Sequence, residues 1–129
     1  MSGITLASWN VNGIRAAVKH GLLDWLAQAR PDILCIQETK ARPEQLDAQV
    51  LKPGGYESHW VSAERKGYSG VAAFVKTEPL SVDTLGVPEF DNEGRTLILT
   101  YPQFVLVNAY FPNSQPGGAR LDYKIAFCD

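Results

Sequence analysis

Residues 33–40 read I-L-C-I-Q-E-T-K, four apolar residues followed by an amide, a carboxylate, a hydroxyl and an ammonium. The unbroken apolar run over 33–36 is typical of a strand that is buried on both of its faces. The strand then ends at the polar residues 37–40, which include Glu38. The stretch therefore predicts a buried strand with a carboxylate at its carboxyl end.

A strand–helix–strand unit leads into this stretch. Residues 4–9 are a short, mostly apolar run that ends at a polar turn, N-V-N-G, over residues 10–13. A helix is predicted next, because apolar side chains recur at steps of three or four, at Ile14, Val18, Leu22, Trp25 and Ala29. Gly21 is expected to loosen it, and residues 30–32 to end it. A unit of this length predicts two parallel strands joined by a right-handed crossover.

The second half of the chain is rich in short β-type runs. Strands are predicted at 58–62, 69–76, 95–101 and 104–111, and a weaker helix at 43–50. Only Pro102 and Gln103 separate the last two runs, which predicts a hairpin. A further helix is expected to begin at residue 119. The pattern predicts a mixed α/β (α+β) fold.

Composition sets the broad class. A chain of 129 residues, with 45% hydrophobic and 20% charged residues, is enough for one globular domain over 1–129. The net charge of −2 does not point to nucleic acid, but it does not exclude a nuclease, which needs carboxylates for metal. No apolar run approaches ~20 residues, so no membrane span is predicted. Two cysteines make no disulfide framework, and a cytoplasmic location is expected, nucleoid-associated if the source is bacterial.

Two oxygen-bearing side chains follow the two predicted parallel strands. Asn10 follows the first and Glu38 the second, and ligands of such sheets bind at the carboxyl ends of the strands. Mg²⁺ is bound by oxygen ligands, often one or two carboxylates completed by water and phosphate. Taken alone, however, Asn10 also suits a turn and Glu38 a solvated strand end. His20 and His59 are isolated in the sequence, so no cysteine and histidine residues have the spacing of a zinc site.

Other side chains in the predicted loops suit nucleic acid. Alternation along 104–110 places Asn108 and Tyr110 on one face, where both could donate to a phosphate oxygen. Tyr68 can stack or pack on a sugar, whereas Arg95 can either reach a phosphate or pair with Glu93 in its own loop.

Five motifs together carry a family resemblance. In chain order they are S-W-N-V-N-G-I-R-A, I-L-C-I-Q-E-T-K, G-Y-S-G-V-A, F-D-N-E-G-R and V-N-A-Y-F-P-N. The sequence resembles the exonuclease III / apurinic endonuclease family of DNA-repair nucleases, within the endonuclease–exonuclease–phosphatase superfamily. The resemblance covers essentially the whole chain. It implies the amino-terminal half of a four-layered αββα sandwich, with a mixed β-sheet and flanking helices.

The resemblance also implies roles for individual residues. Asn10 and Glu38 match the family's metal-site residues, with Glu38 as the direct ligand, and Asn12 matches a position of possible second-metal or supporting function. Tyr110 matches the active-site tyrosine and Asn113 the asparagine that holds the target phosphate. The candidates for DNA contact are Arg15, Lys19, Tyr68 and Arg95.

The implied activity is Mg²⁺-dependent hydrolysis of DNA phosphodiesters at abasic sites, with 3′→5′ exonuclease activity in some members and Mn²⁺ as a substitute metal. The implied partner is double-stranded DNA with abasic sites or 3′ ends. The family's later aspartates and histidine have no match here, so the chain is expected to be a truncated domain that is inactive without its carboxy-terminal half. Its inter-sheet apolar faces are expected to be uncovered and to drive dimerisation or aggregation.

Two alternatives stay open. One is another phosphodiesterase branch of the superfamily, acting on RNA tails, phosphoinositides or sphingomyelin. The other is a non-catalytic DNA-binding module that uses the same basic and aromatic residues.

Overall fold

The computed structural model describes residues 3–111, which form two packed β-sheets with short helices. The first sheet contains β1 (Leu6–Asn10), β2 (Ile33–Gln37), β3 (Glu57–Val61) and β4 (Val71–Val75), in the order β1-β2-β4-β3. β1 and β2 are parallel, as predicted, and the other pairs are antiparallel. β2 is buried along its apolar residues, as the run over 33–36 predicts.

The crossover between β1 and β2 consists of two helices where the sequence predicted one. α1 (Ile14–Lys19) and α2 (Leu22–Ala29) are separated at Gly21, whose φ of +101° lies outside the helical region and favours glycine. Their buried faces pack on the first sheet, where Ile14, Leu22 and Leu26 join Leu34 and Phe74 in one apolar core. The helix predicted over 43–50 is instead a 3₁₀ turn (Pro43–Gln45) followed by α3 (Ala48–Leu51).

The second sheet contains β5 (Ser81–Asp83), β6 (Thr96–Thr100) and β7 (Val105–Ala109), in the order β5-β6-β7. β6 and β7 form the predicted hairpin. β5 and α4 (Pro88–Asp91) were not predicted, because each is too short to show a period. The helices cover one face of the first sheet and the second sheet covers its other face, so the fold is a partial αββα sandwich.

The core between the sheets corrects one expectation. The sequence predicted that the inner apolar faces would lack a cover, but the second sheet already covers the first. The inter-sheet residues that are fully buried include Val71, Ala73, Val75, Leu97 and Leu99. Of the apolar side chains in β4, β6 and β7, only Val105 and Val107 are exposed, at 59% and 55%. The apolar surface available to drive association is therefore smaller than the sequence suggested.

One side of the sandwich is open within residues 3–111. There, β1 pairs only with β2 and β7 pairs only with β6, so both are edge strands. An apolar groove of about 410 Å³ runs between these two edges and is lined by residues such as Leu6, Cys35, Leu106 and Val107. None of the helices in this part of the chain is long and apolar enough to cross a membrane.

Candidate active site

Three strand ends from both sheets meet at one rim of the sandwich. Parallel pairing sets Asn10 opposite Gln37, the residue before Glu38. Asn10 Nδ2 donates to Glu38 Oε1 at 3.3 Å, and Tyr110 Oη donates to the same oxygen at 2.9 Å. The predicted proximity of Asn10 and Glu38 is therefore observed, and Tyr110 joins them from the second sheet.

Lys40 completes this cluster, although the sequence did not predict it as a site residue. Its Nζ lies 3.0 Å from Glu38 Oε2 and donates to Asn12 Oδ1 at 2.8 Å. The backbone N–H of Asn12 donates to Asn10 Oδ1 at 3.0 Å. Asn12 thus supports the rim by holding both the lysine and the neighbouring amide. Five residues therefore make up the rim: Asn10, Asn12, Glu38, Lys40 and Tyr110.

Unusual backbone conformations concentrate at the rim. Asn12, Glu38 and Lys40 have φ values of +47°, +61° and +55°. Such left-handed conformations are unfavourable for residues other than glycine and persist only where the surroundings enforce them. The two loops enforce them on each other, since Gly13 N donates to Glu38 O at 2.7 Å and Ile14 N donates to Thr39 O at 2.9 Å. The loop conformation turns the Glu38 side chain toward its partners at the end of a buried strand.

The hydrogen bonds define the protonation states of the acid and the phenol. Burial acts to raise the pKa of Glu38, but hydrogen bonds from Lys40, Tyr110 and Asn10 and the charge of Lys40 outweigh it. The pKa therefore lies below the ordinary value of 4.5. Burial and the hydrogen bond to Glu38 raise the pKa of Tyr110 to about 12. At neutral pH the rim thus presents a carboxylate and a protonated phenol donor.

The lowered pKa of Glu38 predicts a specific loss of stability in acid. A carboxylate that is more acidic in the folded state stabilises it above the unfolded pKa, and this contribution is lost as the pH falls through the folded pKa. Between about pH 5 and pH 3, the free energy of unfolding should therefore fall more steeply for the unmodified chain than for Glu38→Gln. Urea unfolding across this range measures both slopes. Lys40→Met should reduce the difference, and equal slopes for Glu38→Gln and the unmodified chain would contradict the assignment.

Arg95 is directed into the protein. It is 3% exposed, and its Nη2 lies 3.0 Å from Glu93 Oε1 and 3.0 Å from Tyr68 Oη. Its Nη1 donates to the backbone oxygen of Tyr110 at 3.1 Å. Of the two alternatives that the sequence left open for Arg95, the structure shows the pair with Glu93. Arg95 therefore links Tyr68 to the strand end that carries Tyr110.

The remaining predicted residues lie around the rim or outside the described part of the chain. Arg15 and Lys19 are exposed on α1, outside the hydrogen-bonded cluster, and Tyr68 is half-buried. Asn113 lies outside the described residues. Asn108 is 3% exposed and bonded within the protein, so the prediction that its amide faces a phosphate is wrong. The alternation along β7 correctly paired it with Tyr110, but only the packing of the sheets shows that this face is internal.

Comparison with known proteins places this geometry in a family. Residues 7–128 match the model of the Endonuclease/Exonuclease/phosphatase family. The chain is 46% identical over 126 residues to the DNA repair nuclease APEX1 of Danio rerio, covering 95% of this chain and 41% of that protein. It is 44% identical over 122 residues to an exodeoxyribonuclease of Bacillus subtilis, covering 93% of this chain and 47% of that protein.

A solved structure shows the same fold. An AP endonuclease from Archaeoglobus fulgidus superposes with a TM-score of 0.83 at 29% identity, covering 97% of this chain and 48% of that one. The chain thus spans somewhat less than half the length of each of these three proteins. The resemblance carried by the five motifs is confirmed, and the chain belongs to the endonuclease/exonuclease/phosphatase family.

Proposed function

We propose that this chain forms the amino-terminal half of a Mg²⁺-dependent DNA-repair nuclease that hydrolyses phosphodiesters at abasic sites and can remove nucleotides from 3′ ends. The observation that carries the proposal is the rim, where Asn10, Glu38 and Tyr110 converge from three strands of two sheets. The names of the matched proteins support the same chemistry.

The chemistry of the rim suits a hard divalent cation. Glu38 is anionic at neutral pH, and its side chain retains 18% exposure, so its oxygens can be reached from solvent. Asn10 directs its Nδ2 to Glu38 Oε1 and its Oδ1 to the N–H of Asn12, so its amide would have to turn to give an oxygen to the cation. Mg²⁺ commonly combines few protein oxygens with water and phosphate. No three His, Cys, Asp or Glu residues among 3–111 could together hold a metal ion, and Glu38 is the one carboxylate among the five residues of the rim. Lys40 already neutralises that carboxylate and would have to yield one oxygen to the cation.

The residues of the rim can act directly on a bound phosphodiester. Tyr110 is a neutral phenol at physiological pH, and its one hydrogen is donated to Glu38 Oε1, so it would have to transfer this hydrogen bond to a non-bridging oxygen of a bound phosphate. Asn113 is proposed to donate to the same phosphate. A bound Mg²⁺ would act as a Lewis acid on the phosphoryl oxygens. Glu38 is proposed to hold that ion, and Asn10 to orient Glu38.

The proposed DNA surface lies beside the rim. Arg15 and Lys19 present two exposed positive charges on α1, which begins shortly after Asn10. Tyr68 is proposed to pack on the DNA backbone, and Arg95 to hold Tyr68 in place. The proposed substrate is double-stranded DNA with abasic sites or 3′ ends.

Neither histidine of the described residues lies at the rim to activate water. His20 is exposed at the end of α1. His59 contacts Glu78, which follows the end of β4 opposite to the rim. We therefore propose that the partner of this chain is a carboxy-terminal half-domain that supplies the general base and joins the sandwich along the open edges of β1 and β7.

A chimera tests the proposed function. In it, the matching segment of the Bacillus subtilis exodeoxyribonuclease, to which the chain is 44% identical, is replaced by this chain. We expect the chimera to nick a duplex containing a single abasic site in the presence of Mg²⁺, and the isolated 129-residue chain to have little or no activity. Loss of a catalytic base from such a group typically removes most of the rate enhancement.

Controls separate the alternatives. Glu38→Gln in the chimera should abolish nicking, whereas Glu78→Gln, far from the rim, should preserve it. Robust turnover by the isolated chain would refute the need for a second half. A folded chimera that binds abasic duplex in a salt-sensitive manner but never nicks it would favour the non-catalytic binding module.

A further inference from the structure

Asn108 is a buried polar side chain in the core between the two sheets. It lies in β7, two residues before Tyr110, and is 3% exposed. Its neighbours in this core are apolar, among them Cys35, Leu97 and Leu106. A buried amide is unfavourable unless its hydrogen bonds are made, so the partners of Asn108 explain its presence.

The amide of Asn108 bonds to the opposite sheet. Its Nδ2 donates to the backbone oxygens of Ile36, at 3.2 Å, and Ala72, at 2.8 Å. These two residues face each other across β2 and β4. The two hydrogens of one nitrogen can thus bind both strands at the centre of the first sheet.

Gln37 extends this connection to the edge strand β1. Its Nε2 donates to Asn108 Oδ1 at 2.8 Å and to Ser8 Oγ at 3.0 Å. The three residues form a row directly below the rim, because Ser8 precedes Asn10 by two residues and Gln37 directly precedes Glu38. The same side chains that link β1, β2 and β7 therefore lie next to the three residues that meet at the rim.

The contact between Glu38 and Tyr110 depends on how the sheets are aligned. The two residues belong to different sheets, and their 2.9 Å hydrogen bond requires the strand ends to meet within a few tenths of an ångström. Apolar packing is non-directional and fixes such an alignment poorly, whereas hydrogen bonds to fixed carbonyls define it. We propose that Asn108, assisted by Gln37, is a positioning residue that sets the register of β7 on β2 and thereby brings Tyr110 to Glu38.

This inference deepens the proposed function and rests on it for its catalytic consequence. The contact itself can nevertheless be measured without activity or metal. A double-mutant cycle of Glu38→Gln and Tyr110→Phe in the 129-residue chain, followed by urea unfolding, reports the coupling between the two side chains. Failure of the nicking assay would leave this measurement unaffected.

The cycle is then repeated in the background of Asn108→Leu, which keeps the branched heavy-atom shape but removes the amide. In the unmodified chain we expect the coupling to change the unfolding equilibrium constant about tenfold, the size of a hydrogen bond to a charged group. With Asn108→Leu the coupling should fall below about twofold. Leu97→Ala is the matched control, since Leu97 is buried opposite Asn108 in β6 and its truncation destabilises the core without removing the amide.

Each outcome decides the proposal. Coupling lost with Asn108→Leu but retained with Leu97→Ala supports a positioning role, because general destabilisation would affect both backgrounds alike. Retained coupling with Asn108→Leu, or no coupling in the unmodified chain, overturns it. If Asn108→Leu does not fold, the cycle is repeated in the background of Gln37→Met. We then expect the coupling to fall from about tenfold to about threefold. Unchanged coupling would overturn the proposal.

Discussion

Replacing Gly94 with alanine is expected to remove about 3 kcal/mol or more of folding free energy. Gly94 has a φ of +60°, which an alanine adopts only at a cost. A Cβ at this position would also lie 2.5 Å from Ala63 N and 2.6 Å from Ser62 C. Both are backbone atoms, so no side-chain rotation can relieve the overlap. Since single domains are typically stable by only about 5–15 kcal/mol, the variant should be largely destabilised.

Gly86→Ala is the matched control for this experiment. Gly86 also has a positive φ, of +78°, but nothing lies within 4 Å of the added Cβ. It should therefore show only the smaller conformational cost, of about 1 kcal/mol. Urea unfolding of both variants separates the two effects. Equal losses in the two variants would show that the close approach of residue 94 to residues 62 and 63 is absent in solution.

The second large effect concerns metal binding at Glu38. If this carboxylate holds a divalent cation, Glu38→Gln should weaken the binding of Mn²⁺, used as a probe, by at least about tenfold. The amide keeps the shape of the side chain but carries no charge for a hard cation. Calorimetric titration, or the loss of the free Mn²⁺ electron-spin signal, measures the affinity directly.

Two further variants make this test specific. Glu78→Gln removes a carboxylate at the opposite end of the sheet and should leave the affinity unchanged. Lys40→Met removes the ammonium that competes for Glu38 Oε2 and should strengthen binding. Unchanged Mn²⁺ affinity in Glu38→Gln would exclude this carboxylate as the ligand.

The sequence predicts the parts of the site that depend on strand pairing. The apolar run over 33–36 and the length of the crossover predict two parallel strands, and parallel strands necessarily bring Asn10 and Glu38 to one edge. The two-residue connection at Pro102 likewise predicts the β6–β7 hairpin. These predictions succeed because periodicity and chain length are local properties.

The parts that escape prediction depend on packing between distant elements. The roles of Lys40 and Arg95 follow from loop conformations with positive φ and from burial, which a residue pattern does not record. The sequence predicts that the amide of Asn108 could donate to a phosphate, because only packing against the first sheet makes its face internal. β5 is too short to show a recognisable period, so the sequence does not predict the third strand of the second sheet.

The rim takes its side chains from both sheets, so a ligand held between the sheets can disturb it from a distance. In this chain without its proposed carboxy-terminal half, a compound inserted into the apolar groove between β1 and β7 would contact Leu6, Cys35 and Val107 without touching Glu38. By forcing the two sheets apart, it would nevertheless move the Tyr110 hydroxyl away from the Glu38 carboxylate. Such a compound would disturb the rim without resembling a nucleotide.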